Sequence, residues 1–319
     1  MLADWGRRPA RSEWLLSVMA HSDTLRLPEP VAGGLQSAGR HAGRVNPGFR
    51  AYIEKKYHKI VSVVDFIASL GAVGAEAVVL ACEVFAGGSR RQWLKVAGGA
   101  KAPFMERALG GRSVAEGEVL VEFGTYIGYS SIRLARQVMI RNGGRTGLSP
   151  FKGQRLISIE VDPIIAFVAR HIINLTMLLC YMEVWTGQIK DLIPRIQEVW
   201  GERALAFGFM DYKGSRYHVD FERLEQFDLP APFCRLVVDN VVSPGAPLLL
   251  WNLGHSPAVR QTLYEMQEFL EESIEDWVAV VDYLTPPWGP RQKSPGLVRE
   301  EQLLEASWWA GHWSEWEGA

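Results

Sequence analysis

Several things are scarce in this sequence. Three cysteines, Cys82, Cys180 and Cys234, stand far apart in 319 residues. Their odd number and spacing argue against a disulfide framework and for a reducing compartment. No Cys-x-x-Cys pair and no His/Cys cluster is present, which removes the common zinc sites. The formal charge is only -2, so no basic footprint calls for a nucleic acid. Long apolar runs are missing as well. The best membrane candidate, residues 60–86, is broken by Asp65, Glu76 and Glu83. Near the start, the run from Trp14 to Ala20 follows Arg7, Arg8 and Arg11 but is too short and interrupted for a secretory signal. The expectation is a cytoplasmic monomer that binds neither nucleic acid nor membrane.

What is present is ordinary globular material, with 48% hydrophobic and 22% charged residues, enough to bury one large core or two small ones. Residues 1–45 mix Gly, Pro, Arg and Ser without periodicity and read as a flexible tail, ended by Asn46-Pro47-Gly48. A single domain is expected over 46–319. Its first part, 46–110, reads as a helical cap, with helices over 49–70, 73–85 and part of 104–109. The rest, 111–319, reads as a sheet core. There, strands at 119–123, 156–160, 181–185, 205–210 and 235–238 alternate with helices at 132–140, 163 onward, 189–200 and 217–227. Such βαβα alternation predicts an α/β fold, Rossmann-like and doubly wound, with helices on both faces of a mostly parallel sheet.

The chain is organised around Val119-Leu120-Val121-Glu122-Phe123-Gly124-Thr125-Tyr126-Ile127-Gly128-Tyr129-Ser130-Ser131. Apolar residues run into an acid, two glycines follow four apart, and a serine pair opens a helix. That is a buried strand, a tight turn and a helix N-terminus, placed where open α/β sheets hold ligands. The glycine spacing is not that of a dinucleotide site. A carboxylate just before the glycines repels phosphate and suits a hydroxyl or a cation.

Acids also close the later strands. Glu122, Glu160, Asp211 and Asp239 each end an apolar run, which would align all four along one rim of the sheet. Any one of them alone reads as a strand cap; four in succession are better explained by a shared site. Glu160 stands where such folds place an acid for ribose hydroxyls. Asp211 and the pair Asp239-Asn240 offer three oxygens from neighbouring strand ends, a set that suits a hard cation such as Mg²⁺, although Asp-Asn is also common turn chemistry.

These residues carry a resemblance. "VEFGTYIGYSSIRLAR", "LISIEVDP", "DNVVSPGAP" and, upstream, "WLKVAGGAK" resemble, in order, motifs of the catechol O-methyltransferases, within the class I S-adenosylmethionine-dependent methyltransferases. The resemblance covers about residues 92–253. It implies a seven-stranded sheet and S-adenosyl-L-methionine and Mg²⁺ as cofactors. Glu122, Gly124 and Ser130 would hold the methionine end, with Tyr126 and Tyr129 lining that pocket. Glu160 would take the ribose. Asp211, Asp239 and Asn240 would bind Mg²⁺. Trp93 and Pro244 would flank a small phenolic or catechol-like acceptor, and Asp282 in "VAVVDY" would accept its second hydroxyl.

The chain also departs from the family. The family's Asp-x-x-Lys reads Asp211-Tyr212-Lys213-Gly214 here, so glycine stands at the place of the general base, and Lys213 is the candidate to replace it. Gly187-Gln188-Ile189-Lys190 changes the adenine side, and Leu94-Lys95 changes a methionine-rich wall. Two other readings therefore stand beside a Mg²⁺-dependent O-methyltransferase: a methyltransferase of another acceptor or without metal dependence, and a cofactor-binding scaffold without turnover. Trp308, Trp309, Trp313 and Trp316 read as packing of a final element, and residues 291–302 as a solvated charged loop.

Overall fold

The computed structural model describes residues 47–88, 94–143 and 154–284. The expected tail 1–45, Trp93, most of the loop 141–153, the charged stretch 291–302 and the four C-terminal tryptophans lie outside them. Contacts divide the chain between Ile53 and Glu54. The seven strands and every helix from Ala75 onward belong to the unit beginning at Glu54.

Three helices come first: α1 (Pro47–Leu70), α2 (Ala75–Gly87) and α3 (Lys101–Gly110). The last begins three residues before its predicted start, because Pro103 falls in the first turn, where no N–H is needed. The alternating part follows as β1 (Val119–Phe123), α4 (Tyr129–Arg141), β2 (Leu156–Glu160), α5 (Pro163–Asn174), β3 (Met182–Thr186), α6 (Ile189–Trp200), β4 (Leu205–Met210), α7 (Tyr217–Gln226) and β5 (Pro230–Val238). Then come α8 (Pro247–Gly254), β6 (Val259–Glu268) and β7 (Glu271–Tyr283).

The seven strands lie in the order β3-β2-β1-β4-β5-β7-β6. The first five are parallel, and β7 runs antiparallel to both of its neighbours. β1, β2 and β4 are buried along their whole length. Their apolar runs without alternation are what a parallel sheet covered on both faces requires. Val121, Phe123, Ile157, Leu236 and Val238 form the centre of that core. The outermost strand, β6, is mostly exposed, and the Arg260, Gln261, Glu265 and Gln267 it carries blunt a bare edge.

Two elements differ from expectation. β5 starts five residues early, since Pro230-Ala231-Pro232 reads as a break. The strand accommodates it with a register shift against β4 and a left-handed Phe233. The β6–β7 hairpin was not predicted. Its two-residue turn is Phe269-Leu270, with none of the Asn or Gly that signals such turns. All three cysteines are free, two of them buried and Cys180 half-buried. Among the described residues no helix is long and apolar enough to cross a membrane.

Candidate active site

The parallel strands all deliver their carboxyl ends to one rim. There the backbone of Asp211 donates to the Phe123 carbonyl at 2.9 Å, and that of Asp239 donates to Met210 at 2.9 Å, so the crests of β1, β4 and β5 are laced together. Gly124 is what lets them approach. Its φ is +104°, and a Cβ there would collide with the Asp211 carbonyl oxygen. Gly128, at φ +88°, then turns the chain into α4.

At the β1 end, Glu122 is fully buried. Ser131 and Ser158 both donate to its Oε2, and Thr125 meets the Ser158 hydroxyl at 2.6 Å. Its Oε1 accepts no hydrogen bond of normal geometry among the described residues. Burial pushes this carboxyl up to about 7, while the hydroxyls of Ser130, Ser131 and Ser158 pull the other way. Ser130 itself is buried on the first turn of α4.

Glu160 closes β2 on the same rim. Its Oε2 accepts from the Tyr126 backbone N–H at 2.9 Å, and its Oε1 from that of Asp162 at 2.9 Å. Burial raises its pKa against those two bonds. Tyr126 sits at φ +48°, a left-handed conformation rare outside glycine, and so turns its amide toward Glu160. Asp162 caps α5 through Ile164 and Ile165 and accepts a 2.6 Å hydrogen bond from the Tyr57 hydroxyl of α1. The Tyr129 side chain is buried and its hydroxyl donates to Glu83 of α2 at 2.6 Å, so it ties α4 to α2.

At the β4–β5 end, Asp211, Asp239 and Asn240 do come together. Asp239 is buried, and its Oδ1 takes the Asn240 backbone N–H at 2.8 Å and the Lys101 ammonium at 2.9 Å. Burial pushes its carboxyl up to about 6, with Lys101 pulling it down. Asp211 is raised well above the usual carboxylate range, by burial first and then by Asp239. Two acids that repel each other thus stand beside one amide, with the Lys101 ammonium as their nearby positive charge. Lys101 also reaches Glu268 at 2.8 Å and Asp276 at 2.7 Å, both on the β6–β7 hairpin. Among the described residues no three His, Cys, Asp or Glu side chains converge as metal ligands; the set here is two carboxylates and an amide.

The remaining expectations fare unequally. Lys213 is exposed, on the rim just beyond Asp211. Gly214 is buried, and a Cβ there would run into the Gly245 carbonyl, so the backbone leaves no room for a side chain at the family's lysine position. Pro244 lies in the turn Val241–Gly245 that follows Asn240. Asp282 is not brought to the site. It pairs with Arg235 at 2.7 Å, three residues back along β5 from the rim. The reason is direction: β7 is antiparallel, so its acid at the rim is Asp276. Lys101, Glu268 and Asp276 are the residues that the sequence reading missed. Only Lys101 had a signal, as the last residue of "WLKVAGGAK".

A catechol O-methyltransferase of Sus scrofa is 32% identical over 129 residues, covering 40% of this chain and 63% of that protein. One of Mus musculus is 29% identical over 196 residues, covering 61% and 66%. The core is catechol O-methyltransferase-like. The chain spans less than two thirds of the length of these relatives. An O-methyltransferase of Streptomyces achromogenes involved in tomaymycin synthesis, solved with S-adenosylmethionine, superposes with a TM-score of 0.50 at 19% identity, covering 65% of this chain and 90% of that one. That likeness shows the Rossmann-like α/β fold. No protein-family model matches the chain.

Proposed function

We propose that the chain transfers the methyl group of S-adenosylmethionine to a hydroxyl of a small catechol-like acceptor, with Mg²⁺ at the β4–β5 end. The observation that carries this reading is the contact of Gly124 with Asp211, which sets the end of the rim bearing Glu122 beside the end bearing Asp211 and Asp239. Bound there, S-adenosylmethionine supplies an electrophilic methyl on a sulfonium. The residues fit its parts: Glu122 keeps one buried oxygen without a normal hydrogen bond for positive charge, and Glu160 is braced by two backbone amides to receive hydroxyls.

The β4–β5 end fits a hard cation. Asp211, Asp239 and the amide of Asn240 are oxygen donors on neighbouring strand ends, and Mg²⁺ takes few protein ligands and keeps the rest for water and substrate. When bound, such an ion lowers the pKa of a coordinated hydroxyl. The chain's own residues do the rest. Pro244 walls the acceptor, the strand ends hold donor and acceptor in line, and a lysine amine takes the proton.

Lys213 is the lysine expected from the sequence. A second reading puts Lys95 in that role, on a specific observation. Lys95 is exposed by surface area, yet burial pushes its ammonium down to about 8, and it feels the charges of Glu268 and Asp211. A fraction of neutral amine is then present near neutral pH.

The test is a methyl-transfer assay over a panel of phenols and catechols with and without Mg²⁺. Turnover of a catechol that EDTA and Asp239→Ala both abolish is the expected result. Turnover indifferent to both would sink the metal requirement. Cofactor binding with no acceptor methylated would leave only a scaffold.

A further inference from the structure

We propose that Asp276 is the positioning residue of the cation site, resting on the metal reading above: it turns the Asn240 amide so that its oxygen faces Asp211 and Asp239. Asp276 is fully buried on β7. It lies three residues beyond Ala279, the partner of Val238, and so overhangs the turn that follows β5. Its Oδ2 accepts from the Lys101 ammonium at 2.7 Å and from the Asn240 side-chain amide at 2.9 Å. Its Oδ1 accepts from the backbone N–H of Ser243 at 3.0 Å and, more weakly, of Val242 at 3.4 Å.

Every one of those partners is a donor. A carboxylate accepts on both oxygens and donates on neither, so it alone among side chains of this size satisfies all four. An asparagine at this position would aim its NH₂ at donors whichever way it turned. Lys101, shared with Asp239 and Glu268, sets a positive charge against the buried carboxylate and gives it an ion-pair partner in the interior.

The consequence falls on Asn240. Its NH₂ is committed to Asp276, with Glu268 a longer second partner at 3.4 Å, so the amide oxygen is the end that remains for a cation. Asn240 is held in the left-handed region at φ +58°, and the two amides bound to Oδ1 fix the backbone just before Pro244. One buried carboxylate thus sets the ligand's orientation and the acceptor wall together. Partners behind a metal ligand commonly govern affinity to this degree.

The experiment is metal binding by the full-length chain, read by isothermal titration calorimetry with Mg²⁺ or Mn²⁺ in the presence of S-adenosylhomocysteine, for wild type and Asp276→Asn. Loss of an outer partner of this kind is expected to weaken the metal by about 10- to 100-fold, while S-adenosylhomocysteine binding measured without metal is unchanged. Raising Mg²⁺ should then restore turnover of the variant. Metal affinity equal to wild type overturns the inference. A wild type that binds S-adenosylhomocysteine but no metal overturns the metal reading itself, and this inference with it. Should Asp276→Asn not fold, the wild-type Asn240 side-chain amide, followed by ¹⁵N NMR, decides. Slow solvent exchange and a shift on adding Mg²⁺ support the role, and a freely exchanging amide indifferent to Mg²⁺ overturns it.

Discussion

Gly124 rests its bare Cα against the carbonyl of Asp211, so the turn after β1 and the acid after β4 share one backbone contact. Gly124→Ala is expected to break it twice over, through the collision and through a φ of +104° that L-residues rarely adopt. A cost of about 1–3 kcal/mol is expected for a strained backbone of this kind, read by denaturant unfolding. Cofactor affinity should fall as well. A variant with wild-type stability and affinity would show that the crests of β1 and β4 are not coupled.

Glu122 gives the protein a proton to release. Its folded pKa of about 7 exceeds the ordinary 4.5, so the folded chain binds this proton more tightly than the unfolded one. The effect on stability is absent below about 4.5, grows as a loss while pH rises from there, and is complete above about 7. At about 1.4 kcal/mol per unit of pKa it amounts to roughly 3 kcal/mol. Glu122→Gln should therefore raise Tm at pH 8 and do little at pH 4. A cationic cofactor stabilises the ionised form, so its binding near pH 6 should release a proton in wild type and not in the variant. Calorimetry in buffers of different ionisation enthalpy measures that release.

The two candidate lysines separate by substitution. Lys95, held at about 8, is neutral above that pH. If it takes the proton, kcat/KM should rise toward pH 8 and level off, and Lys95→Met should flatten the rise. Lys213→Ala should then lower the rate without moving the limb. The reverse pattern would return the role to Lys213.

Gly214→Lys would place a lysine where the relatives' motif has one, and it should not help. The collision with Gly245 predicts a destabilised protein with no gain in turnover, measurable by a thermal melt beside the assay. A faster, equally stable variant would mean that the turn at Val241–Gly245 yields easily.

Much of this architecture was legible in the residues. Leu156–Glu160, Leu205–Met210 and the helix Ile189–Trp200 match their predicted bounds, because buried parallel strands are short apolar runs and long amphipathic helices repeat strongly. Glu122, Glu160, Asp211 and Asp239 were readable as strand-end acids, and the structure brings Asp211, Asp239 and Asn240 together. What escaped was everything set by the hairpin. Phe269-Leu270 is a turn without turn residues, so β6 and β7 had no boundary, and the direction of β7 decides whether Asp282 or Asp276 reaches the rim. The partner of the Tyr129 hydroxyl was not legible for a related reason: it is Glu83, on another helix and 46 residues away.

The ion pair of Lys101 with Asp276 closes a loop of 175 residues. Contacts of such separation come at a high entropic cost and form late in folding. The two ends of the rim therefore have different histories as the chain leaves the ribosome. Glu122 and Glu160 have their hydrogen-bond partners once Asp162 has emerged, whereas the cation end waits for Glu268 and Asp276, more than a hundred residues further on. A nascent chain stopped before β7 would hold those partnered acids beside Lys101, Asp211 and Asp239, with Asn240 still free to turn either way.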